Sequence, residues 1–316
     1  MVNVEKRKIS IVVPFFNEEA GIDVFYQVIL KVINSLPHYS FEVLCVDDGS
    51  TDTTLSKLIE LVNKDNRFLV LELSRNFGKE SALSAGLDAA TGCAVIPLDA
   101  DLQDPPELIS SLLAEWEKGA DVVLACRTDR QTDSLLKRLS AKAFYRTHNL
   151  LSNIEIPEDV GDFRLMDRSV VQAVKQLPES NRFMKGLFAW VGFKSVKVGY
   201  IRAARTEGSS RFSGRKLWNF ALDGLTSFSI APLRVWTYIG GVGAVLTSMY
   251  AFFIITRTLV LGVDVPGYAS LLVAVLFFGS LQLVSIGMLG EYIGRTYMES
   301  KRRPCYLIRK VYQNES

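Results

Sequence analysis

Acidic side chains close three successive apolar runs in this sequence. They are Val12-Val-Pro-Phe-Phe-Asn-Glu-Glu19, Val46-Asp-Asp-Gly-Ser-Thr-Asp52 and Leu98-Asp-Ala-Asp-Leu-Gln-Asp-Pro-Pro106. A carboxylate at a strand end can accept hydrogen bonds from a ribose hydroxyl or a nucleobase N–H. Asp99 and Asp101, one residue apart, can bring hard oxygen ligands to one Mg2+ or Mn2+, a cation that keeps positions open for diphosphate oxygens. Each cluster also has a plainer reading. The Asp47–Asp52 segment has the composition of a turn and helix cap, and Asp99–Asp104 that of a polar turn closed by Pro105 and Pro106. The ordered succession of all three favours a shared site. No Gly-x-Gly-x-x-Gly follows the first run and no Gly-x-x-x-x-Gly-Lys occurs anywhere. Dinucleotide oxidoreductases and phosphate-loop ATPases are therefore disfavoured.

The elements that must position these acids alternate in type. Strand-like runs at 9–13, 41–46, 68–73, 94–98 and 121–126 are separated by amphipathic helical stretches at 19–35, 51–64, 78–90 and 105–118. This alternation predicts an α/β domain with a mostly parallel, doubly wound sheet covered on both faces. Ligands of such sheets bind beyond the carboxyl ends of the strands, where the acidic motifs fall. The domain is expected to fill residues 1–212.

A different pattern follows. Val235–Thr256 and Val265–Gly290 contain no charged side chain. A helix rising about 1.5 Å per residue needs roughly 20 residues to cross a hydrocarbon core of about 30 Å. The region 232–296 is thus expected to hold two transmembrane helices, at about 235–257 and 267–290. Basic residues flank them on both outer sides (Arg215, Lys216, Arg234; then Arg295, Lys301, Arg302, Arg303, Arg309, Lys310). The positive-inside tendency places both termini and the large domain in the cytosol. Residues 213–231 have the apolar and charged interleaving of an amphipathic helix, either interfacial or packed on the large domain, and 297–316 read as a basic cytosolic tail. Glycines 240, 241, 243, 287, 290 and 294 allow close helix contacts and suggest a homo-oligomer. A net charge of +2 gives no reason to expect nucleic acid. The 4 cysteines are unpaired in spacing; Cys45, Cys93 and Cys126, inside apolar runs, read as reduced core thiols.

The three acidic motifs together resemble family 2 glycosyltransferases of the A-type fold. Arg75-Asn-Phe-Gly-Lys-Glu80, Gly161-Asp-Phe-Arg-Leu-Met-Asp-Arg168 and the two apolar spans narrow the likeness to polyisoprenyl-phosphate glycosyltransferases, most of all bacterial and phage bactoprenol glucosyltransferases. The resemblance implies that Pro14, Glu18, Asp47 or Asp48, and Lys79 contact a uridine nucleotide. It implies that Asp99 and Asp101, with Gln103, hold Mg2+ or Mn2+, and that Asp162 or nearby Asp159 is the catalytic carboxylate. Arg127, Arg138, Arg205, Ser210 and Arg211 would meet the acceptor phosphate, although each arginine alone could be a solvated surface charge. The carboxylate of Asp162 could instead be paired structurally with Arg164 or Arg168. The implied reaction is inverting transfer of glucose from UDP-glucose to undecaprenyl phosphate. It would occur at the bacterial inner membrane, feeding envelope polysaccharide of the O-antigen type. GDP-mannose as donor to a dolichol-type lipid, or a non-catalytic membrane scaffold, are the alternatives.

Overall fold

A computed structural model describes residues 6–127, 160–177, 179, 182, 184–200, 231–261 and 267–314. Asp159, Arg138, Arg205, Ser210, Arg211 and the expected amphipathic helix at 213–231 lie outside the described residues, apart from Ala231.

The strands are β1 (Arg7–Phe15), β2 (Tyr39–Asp47), β3 (Phe68–Leu73), β4 (Ala94–Pro97), β5 (Val122–Arg127), β6 (Val160–Asp167), β7 (Ser195–Tyr200) and β8 (Ile308–Tyr312). They form one sheet in the order β7-β5-β6-β4-β1-β2-β3-β8. The β3-β2-β1-β4 block is parallel. β1 lies at its centre and reads Ile9-Ser-Ile-Val-Val13, buried throughout, as expected of a strand covered on both faces. The chain steps from β1 to β2 on one side and returns to β4 on the other. That reversal opens a crevice beyond the ends of β1 and β4, where Pro14–Glu19 and Asp99–Asp101 lie.

Helices α1 (Ile22–Asn34), α2 (Thr54–Lys64), α3 (Lys79–Ala89) and α4 (Ile109–Glu117) cover this block, and α5 (Arg168–Lys175) and α6 (Met184–Trp190) follow β6. α1 buries Ile22, Phe25, Ile29, Val32 and Ile33, one face of a 3.6-residue period. α3 packs differently, through small residues. A Cβ on its Gly86 would lie 2.2 Å from Val12 Cγ1, so the helix can rest directly on β1 only with glycine there. That contact fixes the height of the N-terminus of α3, and with it Lys79.

Three strands lie outside the five expected, and one of them, β7, pairs in parallel with β5. β6 is antiparallel and inserts between β4 and β5. The segment 297–316, expected as a basic tail, instead supplies β8, antiparallel to β3. Tyr312 Oη donates to Glu72 Oε2 at 2.9 Å and Arg309 Nη1 stands 3.3 Å from Glu72 Oε1, so an acidic residue of β3 supplies the pairing. Cys45 is buried as expected, whereas Cys93 is exposed on the turn before β4.

The two uncharged runs form α7 (Ala231–Leu261) and α8 (Tyr268–Ser300). Large apolar side chains stand out from both, among them Phe252 at 71 % and Leu283 at 71 % exposure. Among the described residues no helix is long and apolar enough to cross a membrane, so the spanning pair expected from the sequence is not carried by the structure.

Candidate active site

The β1 and β2 ends are stitched together before any ligand is considered. Asn17, at φ 54°, is a left-handed non-glycine residue. Its Oδ1 accepts from Thr51 N at 2.8 Å, and its own N–H donates to Ser50 Oγ at 3.1 Å. Glu18 N donates to Thr54 Oγ1, and Glu19 Oε2 accepts from Thr53 N at 3.0 Å and Thr53 Oγ1 at 2.6 Å. Part of each motif is thus a turn and cap, the plainer reading, and that scaffold holds the remaining acids in place.

Asp48 braces a third loop. Its two oxygens accept from Phe77 N at 2.7 Å and Gly78 N at 2.9 Å. The approach is close: a Cβ on Gly49 would meet Arg75 C at 2.5 Å, and its φ of +68° suits glycine. Asp47 accepts from Ser50 N at 3.2 Å through Oδ2, while its buried Oδ1 has no partner. Burial pushes both carboxyls above the usual range.

A cleft of about 340 Å³ opens over these ends, lined by Pro14, Phe16, Glu18, Asp48, Lys79, Asp99 and Asp101 among others. It gathers the expected nucleotide and metal residues, with Asp47 and Gln103 outside its lining. Leu102, at φ 52°, turns the loop after β4. Gln103 Nε2 donates to Asp101 Oδ2 at 2.6 Å and its backbone N–H to Asp101 Oδ1 at 3.2 Å. Gln103 therefore orients Asp101 through its amide nitrogen.

Asp162 reaches the same place from β6. Lys79 Nζ stands 2.6 Å from Asp99 Oδ1 and 2.7 Å from Asp162 Oδ2. Burial opposes ionisation of Asp162, yet Lys79, Lys185 and Arg164 together outweigh it and hold the carboxyl down at about 2. Its Oδ1 is buried without a partner. The alternative pairing with arginine is not seen, because Arg168 donates to Ala90 O at the far end of β6. Arg164 is 5 % exposed, donates to Gly161 O at 2.8 Å and lies 4.4 Å over the Phe188 ring.

Three groups escaped sequence reasoning. Glu80, beside Lys79, is pushed up to about 7 by burial and then by Asp162. Its place in the Arg75–Glu80 motif was the available signal. Lys185, on α6, acts on Asp162 from a segment with no motif. Asp104, 4 % exposed, accepts from Tyr200 Oη and stands 3.8 Å from Arg127 Nη2, so Arg127 is tied to a buried acid and a tyrosine.

Asp99 and Asp101, two hard carboxylates, line the cleft, and Asp99 already holds a cation, the Lys79 ammonium. This donor set fits a divalent ion whose other positions fall to phosphate and water. Among the described residues no third acid, histidine or cysteine completes a self-contained metal cage.

The model of "Glycosyl transferase family 2" matches residues 10–175. The bactoprenol glucosyl transferase of Shigella phage SfV is 54% identical over 306 residues, spanning 97% of this chain and 99% of that protein. A prophage bactoprenol glucosyl transferase homolog of Escherichia coli K12 is 53% identical over 304 residues, spanning 96% and 99%. A glycosyltransferase of Synechocystis sp., itself uncharacterised, is 52% identical over 305 residues, spanning 96% of each. With its acid-tipped parallel sheet and these relatives, the chain is a glycosyltransferase that belongs to glycosyl transferase family 2, in the group that includes the bactoprenol glucosyl transferases.

Proposed function

We propose that this enzyme transfers glucose from UDP-glucose to a polyisoprenyl phosphate, with inversion at the anomeric carbon, at the surface of a bacterial inner membrane. The observation that carries the reading is the convergence of Asp99 and Asp162, from separate strands, on one Lys79 ammonium at the mouth of the cleft. The names of the relatives supply the sugar and the lipid.

Glu18 and Asp48, with Pro14 alongside, face the nucleoside. Asp99 and Asp101 would hold Mg2+ or Mn2+, Gln103 keeping Asp101 in orientation; when bound, that ion supplies charge neutralisation to the diphosphate. Asp162 stays ionised at neutral pH and would take the last proton of the acceptor phosphate, whose second pKa is about 6. Alignment and charge stabilisation then supply most of the rate. Asp104 and Tyr200 hold Arg127 at the end of β5, where its guanidinium suits a phosphate. Arg138, Arg205, Ser210 and Arg211 complete this proposal for the acceptor.

The acceptor is confined to a bilayer, and we assign attachment there to α7 and α8. Their outward apolar side chains and the uncharged runs Val235–Thr256 and Val265–Gly290 support this attachment. β1 and β8 share one sheet, so the chain between them returns to the side from which it left. Glycines 240, 241, 243, 287, 290 and 294 face open space within the chain, which supports a homo-oligomer joined through these helices.

The test offers UDP-glucose, UDP-galactose, UDP-GlcNAc and GDP-mannose in parallel to full-length protein with Mg2+ and undecaprenyl phosphate. Preferential formation of a glucosyl lipid is expected. Preference for GDP-mannose overturns the donor assignment, and failure of all four overturns the reaction.

A further inference from the structure

Lys79 is the first residue of α3, at the positive end of its helix dipole, where a cation is disfavoured. Asp99 and Asp162 hold its ammonium there at 2.6 and 2.7 Å. Two of its three donors are satisfied by these bonds, and the side chain, about half exposed, lines the cleft. A divalent ion bound to Asp99 would sit within a few ångströms of this ammonium. Two cations cannot share one carboxylate oxygen region in a partly desolvated cleft without strong repulsion. That repulsion favours the departure of one of them.

We infer that Lys79 is a built-in counter-cation that a divalent ion displaces from Asp99, and that the displacement is driven by the diphosphate arriving with the metal. The inference rests on Asp99 being a metal ligand, as proposed above. A metal ion arriving alone takes one carboxylate partner from Lys79 and offers nothing in return. A sugar-nucleotide diphosphate brings anionic oxygens into the cleft that Lys79 lines, so the ammonium exchanges Asp99 for phosphate while retaining Asp162. Metal and nucleotide then bind cooperatively. Lys79 stays on Asp162 during the exchange, keeping that carboxylate beside the incoming diphosphate. Lys79 is in this sense a positioning residue that couples the metal acids to the β6 acid.

The experiment measures Mn2+ binding to the full chain in detergent micelles by loss of the free-ion electron paramagnetic resonance signal, with and without UDP. In the wild type, UDP is expected to tighten Mn2+ binding about tenfold or more, within the usual range of coupling between sites. In Lys79→Met and Lys79→Gln, Mn2+ alone binds about tenfold tighter and the UDP effect shrinks by a similar factor. Lys79→Arg keeps the wild-type pattern. Lys185→Met removes a nearby charge without touching Asp99, and is expected to stay within about twofold of wild type. Unchanged or weaker Mn2+ binding in both neutral Lys79 variants overturns the inference, as does an equal gain in Lys185→Met, which would reduce the effect to a general field. Absence of Mn2+ binding to the wild type with UDP present instead refutes the metal assignment of Asp99 and Asp101, and this inference falls with it.

Discussion

Two carboxyl groups that feel the charge of Lys79 are driven in opposite directions. Asp162 is held down at about 2 because burial is outweighed by Lys79, Lys185 and Arg164. Glu80 is pushed up to about 7 because burial and the charge of Asp162 act together. A carboxyl raised in the folded state stabilises the fold fully below its unfolded value, near 4.5, and that contribution is lost as pH rises through about 7. Glu80→Gln keeps the shape and removes the titration. The variant's melting temperature should therefore gain on the wild type from pH 4.5 to 7 and hold a constant lead above. A lead that does not vary with pH would show Glu80 to be ordinarily ionised. Asp162→Asn should lower kcat by about 10²–10⁴-fold with the donor KM little changed; an unaltered kcat moves the catalytic role to another group. The acids themselves were legible from sequence because strand-end carboxylates stand out after apolar runs. Their partners were not. Lys79 meets Asp162, and Tyr200 meets Asp104, across long stretches of chain that periodicity does not connect.

Among the elements, α3 carries the most positional information. Its Gly86 presses on Val12 and Val46, and its first residue is Lys79. Gly86→Ala places a methyl group in a filled interior and should cost about 1–3 kcal/mol by urea denaturation, with kcat/KM falling as Lys79 shifts. Full stability in that variant would mean that α3 can ride higher on the sheet without consequence. β1 to β4 and their helices were readable because β-branched runs alternate with amphipathic stretches. The antiparallel β6 was not, since Gly161–Arg168 was recognised as a motif and its pairing with β4 and β5 depends on distant partners. β8 was missed for another reason. Arg309 and Lys310 give Ile308–Tyr312 the look of a solvated tail, yet charge is what an exposed edge strand needs to resist further pairing.

For the molecule as a whole, β8 returns the chain to the catalytic sheet after α7 and α8, so both ends of the helical pair are tied to one body. Removing residues 301–316 should uncover the β3 edge, lowering the unfolding temperature and causing concentration-dependent association on size exclusion. A truncated chain that stays monodisperse and equally stable would make β8 dispensable. The proposed attachment of α7 and α8 to a bilayer predicts that the protein sediments with membranes; recovery in the soluble fraction would contradict it. The central claim is that acids from β4 and β6 converge to run a metal-assisted sugar transfer, and one assay addresses it. Initial rates of labelled glucose transfer from UDP-glucose to undecaprenyl phosphate are compared for wild type, Asp99→Ala and Asp162→Asn, each with Mg2+ or Mn2+ and with chelator. The account predicts transfer by the wild type with metal alone, and its loss in both variants and on chelation. Wild-type rates that persist in chelator, or in Asp99→Ala, would contradict it.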